Sequence, residues 1–269
     1  MMLEIDIPVA GGSLRALSWP GDGPVVIAAH GITANALAWA GVAAALRGRV
    51  HLVAPDLRGR AGSAHLPGPF GMAAHAGDIL AVARHFATGS PILVGHSMGA
   101  FVVAATAARH PGQVGPVLMV DGGVALPVPP GFDVDAVLHA VIGPAMARLS
   151  MTFDSAGEYI AYFRKNPALD RYWSPMLEAY ILRDFTGTGS SCNIDAIRGD
   201  ATDMLTDPPP ALFPLLWAPR GLMDEEPGLY RAEQLTGVDA ELVPDVNHYT
   251  ILDGTGAARV AERIVSLAS

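Results

Sequence analysis

Residues 91–101 read PILVGHSMGAF, and this stretch decides the fold. Pro91, Ile92, Leu93 and Val94 form a short apolar run, with Gly89 and Ser90 marking its start. A run of that length and kind fits a fully buried strand. Gly95-His96-Ser97-Met98-Gly99 follows without a spacer. Ala100 to His110 then has helical character, with Arg109 and His110 in the last turn and Pro111 just beyond. Strand, G-x-S-x-G, helix is the context that turns a serine into a nucleophile. So sharp a turn forces its central residue into strained backbone angles, and the glycines at 95 and 99 remove side chains that would clash there. The helix start behind Ser97 favours developing negative charge. His96, adjacent in sequence, must point elsewhere and is expected to be a packed or hydrogen-bonded structural histidine.

Outward from this stretch the chain alternates strand and helix. Residues 3–9 and 13–19 alternate apolar and polar and are joined by Gly11-Gly12, a hairpin signal. Further strands are expected over Pro24–His30, Val50–Ala54, Pro116–Val120, Leu216–Pro219 and Glu241–Val243. Helices are expected over Ala34–Leu46 (with Thr33 as cap), Ala73–Phe86 and Ala257–Leu267. This rhythm argues an α/β fold with a mostly parallel sheet and helices on both faces. It breaks between residues 124 and 210. Leu126-Pro127-Val128-Pro129-Pro130-Gly131 opens the break and Asp207-Pro208-Pro209-Pro210 closes it. Helical patterns over Val134–Leu149, Ser155–Asn166, Trp173–Phe185 and Ile194–Leu205 fill it. The expected organisation is therefore a core of residues 1–123 and 211–269 with a helical cap inserted over 124–210. The cap is rich in Met and aromatics: Met146, Met151, Phe153, Tyr159, Tyr162, Phe163, Trp173, Met176 and Tyr180. Most should pack the cap, and a minority should face a pocket.

The 269 residues suffice for one large α/β domain, and an apolar fraction of 51% against 16% charged residues favours a large core over disorder. A net charge of −9 without a basic run argues against nucleic acid or an anionic membrane as the main partner. Cys192 is the only cysteine, which excludes an intrachain disulfide framework and a cysteine-based zinc site. The histidines do not cluster at metal-ligand spacing. No basic n-region precedes an apolar stretch at the N-terminus, and no segment offers about 18 uninterrupted apolar residues. The expectation is a cytoplasmic protein with a small-molecule substrate.

A serine nucleophile requires a base and a group that orients the base. If the chain order is Ser, acid, His, only His139 and His248 lie beyond the serine's own helix. His139 falls in the helical segment. His248, in Asn247-His248-Tyr249, follows the last strand and sits at the sheet edge where open α/β sheets bind ligands. His248 is the expected base. Two aspartates compete for the acid, since both follow strand ends. Asp224, after the penultimate strand, is preferred; Asp121, after the strand that follows the nucleophile's helix, is the alternative, with backbone hydrogen bonds at the cap hinge as its expected role. The oxyanion hole calls for backbone N–H groups. Met98, next to the nucleophile, should supply one and Ile32, after the Pro24–His30 strand, the other. His30 is expected to hold that loop.

His30-Gly31-Ile32 after one strand, Asp56-Leu57-Arg58-Gly59 after the next, Gly-His-Ser-Met-Gly, an Asp after the penultimate strand and Asn-His-Tyr near the end together resemble the α/β-hydrolase superfamily. The resemblance covers nearly the whole chain apart from the cap. It implies an eight-stranded, mostly parallel sheet with one antiparallel early strand, a Ser-His-Asp triad of Ser97, His248 and Asp224, oxyanion donors at Ile32 and Met98, and no cofactor. One departure is Ala61, which stands where the superfamily loop often carries glycine; the loop should differ in shape without affecting catalysis. Relatives that open epoxides or remove halides use Asp at the elbow, so Ser97 argues for acyl chemistry instead. The expected reaction is hydrolysis of a carboxylic ester with a small or medium apolar acyl group. A carbon–carbon hydrolase or lactonase with the same triad is the alternative enzyme, and a slow-turnover ligand receptor is the alternative of another class.

Overall fold

The computed structural model describes residues 1–86 and 89–269. Eight strands form one sheet: β1 (Leu3–Val9), β2 (Gly12–Trp19), β3 (Val25–Ala29), β4 (His51–Pro55), β5 (Ile92–His96), β6 (Val117–Val120), β7 (Leu215–Trp217) and β8 (Ala240–Leu242). Their order is β1-β2-β4-β3-β5-β6-β7-β8. β2 runs antiparallel to both β1 and β4, and the pairs from β4 to β8 are parallel. This is the eight-stranded, mostly parallel sheet expected from the sequence. The central strands are buried on both faces, which is why β3 and β5 read as continuous apolar runs rather than alternating ones.

Helices α2 (Met72–His85) and α3 (Met98–Arg109) cover one face, where Ile79, Val82, Phe101 and Val102 pack on Ile27, Val53 and Leu93. Helices α1 (Ala40–Leu46) and α9 (Gly254–Leu267) cover the other, where Val42, Val260 and Ile264 pack on Val26, Leu52 and Val94. The expected helix over 34–46 is divided: a 3-10 turn over Ala36–Trp39 precedes α1, and Asn35, not Thr33, caps it by accepting the Leu37 N–H.

From β3 the chain crosses to β4 on one side, then returns past β3 to β5 on the other. The crevice between the C-terminal ends of β3 and β5 is therefore the switch point at which open α/β sheets bind ligands.

Between β6 and β7 the described elements are helical: α4 (Val134–Leu149), α5 (Ala156–Phe163), α6 (Pro167–Asp170), α7 (Pro175–Asp184) and α8 (Ile194–Thr206). Side-chain oxygens of Asp133, Ser155, Asn166, Ser174 and Asn193 cap their N-termini, so short polar residues decide where each begins. α4 kinks at Ile142, where φ is −125°, two residues before Pro144. Proline offers no N–H to the preceding turn and its ring crowds that turn's carbonyl. No helix among the described residues is long and apolar enough to cross a membrane.

Candidate functional site

Ser97 sits between β5 and α3 with φ 56° and ψ −123°, a conformation costly for a residue with a side chain. The glycines of the motif make it possible. A side chain at 95 would strike the Gly99 carbonyl, and one at 99 would strike the Ala29 carbonyl in β3. Ser97 is half-buried and lines a cavity of about 410 Å³.

The parallel register fixes what lies beside it. His96 on β5 pairs with Val120 on β6, so Asp121 comes level with Ser97 one strand away. The ladder continues one step further, as the Ser97 N–H donates to the Val120 carbonyl at 3.0 Å. Asp121, fully buried and at φ 42°, turns its carboxylate toward the loop after β8. Its Oδ2 lies 2.6 Å from Nδ1 of His248, and its Oδ1 accepts the Ala218 N–H at 3.0 Å. With Nδ1 held by the carboxylate, Nε2 of His248 is the free ring nitrogen, and His248 lines the same cavity as Ser97.

The preferred partner of His248, Asp224, is elsewhere. Its Oδ1 accepts from Arg220 Nε at 2.8 Å and Asn247 Nδ2 at 3.0 Å, and its Oδ2 accepts from Arg171 Nη1 at 3.1 Å. Burial opposes its charge, but the bonds from Asn247 and Arg220 outweigh that and hold its pKa below the usual carboxylate value. The geometry thus reverses the preference: Asp121 meets His248 and Asp224 does not. Asp121 does bond backbone, but at Ala218 directly after β7 rather than at the expected cap hinge. Asp224 acts one step removed. It holds Asn247, whose Oδ1 accepts the N–H groups of Tyr249 and Thr250, both at 2.9 Å, and so shapes the turn that carries His248.

Ile32 and Met98 line the cavity beside Ser97. Met98 is the first residue of α3, so its N–H has no acceptor within the helix. The turn that carries Ile32 is closed by Ala34 N–H to the Gly31 carbonyl at 3.2 Å. His30 holds this loop, as expected: Nδ1–H donates to the Gly31 carbonyl at 2.8 Å and Nε2 accepts the Leu57 N–H at 2.9 Å. Complete burial pushes its pKa down to about 3, which keeps the ring neutral. His96 is also structural in placement. Its Nε2 donates to the His248 carbonyl at 2.8 Å, and burial drives its pKa well below the ordinary value. His139 lies exposed on α4, away from these groups.

Apolar side chains dominate the cavity walls: Leu37, Phe101, Leu138, Ile142, Leu177 and Met204 among them. Of the Met and aromatic residues singled out between 124 and 210, Tyr162, Phe163, Met176 and Tyr180 reach the cavity, whereas Met146, Phe153 and Tyr159 are buried in packing. Trp173 lies beneath Arg164, 4.0 Å from guanidinium carbon to ring centre, and Met151 is exposed. Arg148 also lines the cavity, but its charge is met by Asp184, which is bonded in turn to Tyr159, Ser190 and Ser191. Burial pushes the neighbouring Cys192 thiol up to about 12, which favours the thiol over the thiolate.

Several residues that shape the site carried no sequence signal strong enough to find them. Arg183 on α7 reaches Asp56, with Nη2 2.6 Å from Oδ2, and Asp200 on α8 reaches Arg60. The signal available was a charged residue, Arg60, inside a Gly-rich loop beside an apolar strand. Ala61 takes φ 42°, a left-handed conformation that favours glycine.

A family model described as "Alpha/beta hydrolase family" matches residues 25–263. Among curated relatives, the chain is 35% identical over 149 residues to N-formylmaleamate deformylase of Pseudomonas putida, covering 50% of this chain and 56% of that protein. It is 35% identical over 101 residues to 2-(acetamidomethylene)succinate hydrolase of Mesorhizobium japonicum, covering 38% of this chain and 36% of that protein. The chain thus spans between about a third and just over half of these relatives' lengths. Among solved structures, E-2-(acetamidomethylene)succinate hydrolase superposes with a TM-score of 0.75 at 20% identity, covering 99% of both chains. The carboxylesterase CesB of Bacillus subtilis superposes with a TM-score of 0.66 at 18% identity, covering 99% of this chain and 91% of that one. With the sheet order, the strained elbow at Ser97 and a family match over most of its length, the chain belongs to the alpha/beta hydrolase family.

Proposed function

We propose that the protein is a serine hydrolase that cleaves a carboxylic ester of a small or medium apolar acyl group through an acyl-enzyme. The observation that carries this reading is the buried Asp121–His248 contact at 2.6 Å beside the strained Ser97, with His248 and Ser97 both lining one apolar cavity. Nε2 of His248 takes the hydroxyl proton as Ser97 Oγ attacks the acyl carbon. The oxyanion meets the N–H groups of Ile32 and Met98 at the start of α3. His248 then delivers the proton to the leaving alcohol, and the acyl-enzyme forms. In the second half the same ring activates water, and Ser97 is regenerated. Asp121 fixes the tautomer and stabilises the imidazolium. The helical segment over 124–210 acts as the cap: α4, α5 and α7 supply the apolar wall that sizes the acyl group and excludes water.

A second reading keeps the triad and changes the bond, to an amide, a lactone or a carbon–carbon bond beside a ketone. The partial likeness to a deformylase and to a succinate hydrolase favours it. The carboxylates in the two relatives' names find less support in this cavity, because its buried guanidinium, Arg148, is already paired with Asp184 and the other cation at its wall, Lys165, is exposed. Hydrolysis of a p-nitrophenyl ester series, acetate to long acyl chains, by wild type and Ser97→Ala tests the proposal. Turnover that falls at least about 10⁴-fold in the variant supports it. A folded wild type inert on every ester shifts the assignment to the second reading or to a slow receptor.

A further inference from the structure

Arg60 lies at the centre of the loop after β4 and is fully buried. Its planar fork serves several groups at once. Nε donates to the Ile32 carbonyl at 3.0 Å, Nη1 donates to the Arg58 carbonyl at 2.7 Å, and Nη2 lies 3.7 Å from the sulfur of Met98. Nη1 is also 2.5 Å from Oδ2 of Asp200, which is equally buried. Ile32 and Met98 are the two residues whose N–H groups form the proposed oxyanion hole. Asp200 belongs to α8, in the inserted segment, and that helix is fastened to the core at the same place. Asp200 Oδ1 accepts the Gly71 N–H at 2.7 Å, and Asp203 Oδ2 accepts the Met72 N–H at 2.8 Å. Nε2 of His75 on α2 completes the cluster 3.0 Å from Asp200 Oδ2.

A buried guanidinium is an expensive way to fill space, since an apolar side chain of similar volume stabilises a core at least as well. What the guanidinium adds is direction. It grips the Ile32–Thr33 peptide from one side and a cap carboxylate from the other. We propose that Arg60 is a positioning residue that ties the seating of helix α8 to the geometry of the oxyanion turn at Ile32. It touches no substrate and acts through Ile32, whose carbonyl it holds and whose own N–H, one peptide earlier, is the proposed donor. This rests on the reading of Ile32 and Met98 as oxyanion donors.

The test compares Arg60→Lys, Asp200→Asn and a control, Arg58→Lys, on the intact chain. A lysine at 60 keeps the charge opposite Asp200 but cannot hold Ile32, Arg58 and Asp200 together. Arg58 shares the loop and is buried with its own partner, Asp78, at 2.7 Å, yet bonds to nothing in the oxyanion turn. Arg60→Lys and Asp200→Asn should each lower kcat on the best p-nitrophenyl ester about 10–100-fold with KM within about threefold, because misplacement by an ångström costs on that order. Arg58→Lys should keep kcat within about threefold even where its melting temperature falls. Hydrogen exchange gives a readout without substrate: the Ala34 amide, bonded across the turn to Gly31, should exchange faster in Arg60→Lys and not in Arg58→Lys.

Wild-type kcat and unchanged Ala34 exchange in Arg60→Lys would overturn the proposal, as would an equal loss of kcat in Arg58→Lys. If Arg60→Lys does not fold, Arg60→Met/Asp200→Asn removes both charges and is read in the same way. A wild type inert on esters and indistinguishable from Ser97→Ala would sink the hydrolase reading instead, while Ala34 exchange would still decide the coupling.

Discussion

Nδ1 of His248 is 2.6 Å from Oδ2 of Asp121, although 127 residues separate them in the chain. The same aspartate is level with Ser97 across the β5–β6 pair. One strand-to-strand step therefore sets both the proposed nucleophile and the carboxylate proposed to orient its base. Asp121→Asn should lower kcat about 10³–10⁴-fold, because an amide at that position favours the wrong imidazole tautomer. Asp224→Asn should lower it less than about tenfold, acting only through the Asn247 turn. Steady-state kinetics of the two variants side by side check this; the opposite ranking would restore Asp224 as the acid.

Two buried histidines should make the fold sensitive to mild acid. His30 titrates near 3 in the folded chain against about 6.5 when unfolded. Between those values the unfolded state holds a proton that the folded state lacks, so stability falls as pH drops below about 6.5 and keeps falling toward 3. Each such ring contributes a slope of about 1.4 kcal/mol per pH unit in that window. His96 has the same sign. Urea unfolding between pH 4.5 and 6 should show the slope, and His30→Gln should reduce it by about one proton. A slope unchanged by that substitution would refute the assignment to His30.

The pair Arg183–Asp56 should fasten α7 to the core. Asp56 is fully buried, and besides Arg183 it accepts the N–H groups of Ala36 and Gly62 at 2.8 and 3.1 Å. Arg183→Met leaves that carboxylate with its dipolar partners but without its charge partner. A loss of about 3 kcal/mol is expected in urea unfolding. A loss under about 1 kcal/mol would show that the two N–H groups suffice.

Met176 lines the cavity yet is 41% exposed, which places it at the mouth. Met176→Trp should therefore cost little stability, within about 0.5 kcal/mol. It should raise KM for long acyl chains and move the preferred length toward shorter esters. An unchanged chain-length profile would mean that acyl groups do not pass this edge.

Much of this architecture is legible in local sequence because its causes are local. A strand buried on both faces must be apolar throughout, so Ile92–Val94 and Val25–Ala29 declare themselves. A strained elbow needs glycine at 95 and 99, so Ser97 declares itself too. His248 follows from its place after the last strand. Which aspartate meets His248 does not follow, because Asp121 and Asp224 both stand after strands, and only the sheet order tells them apart. β6 pairs with β5, so Asp121 lies one strand from Ser97; Asp224 comes seven residues after the end of β7, and Arg220, Arg171 and Asn247 hold it there. The cavity wall was equally out of reach. Whether Tyr180 faces the cavity while Tyr159 bonds to Asp184 depends on how the helices between β6 and β7 roll against one another and the sheet layers, and helical spacing alone does not encode that rotation.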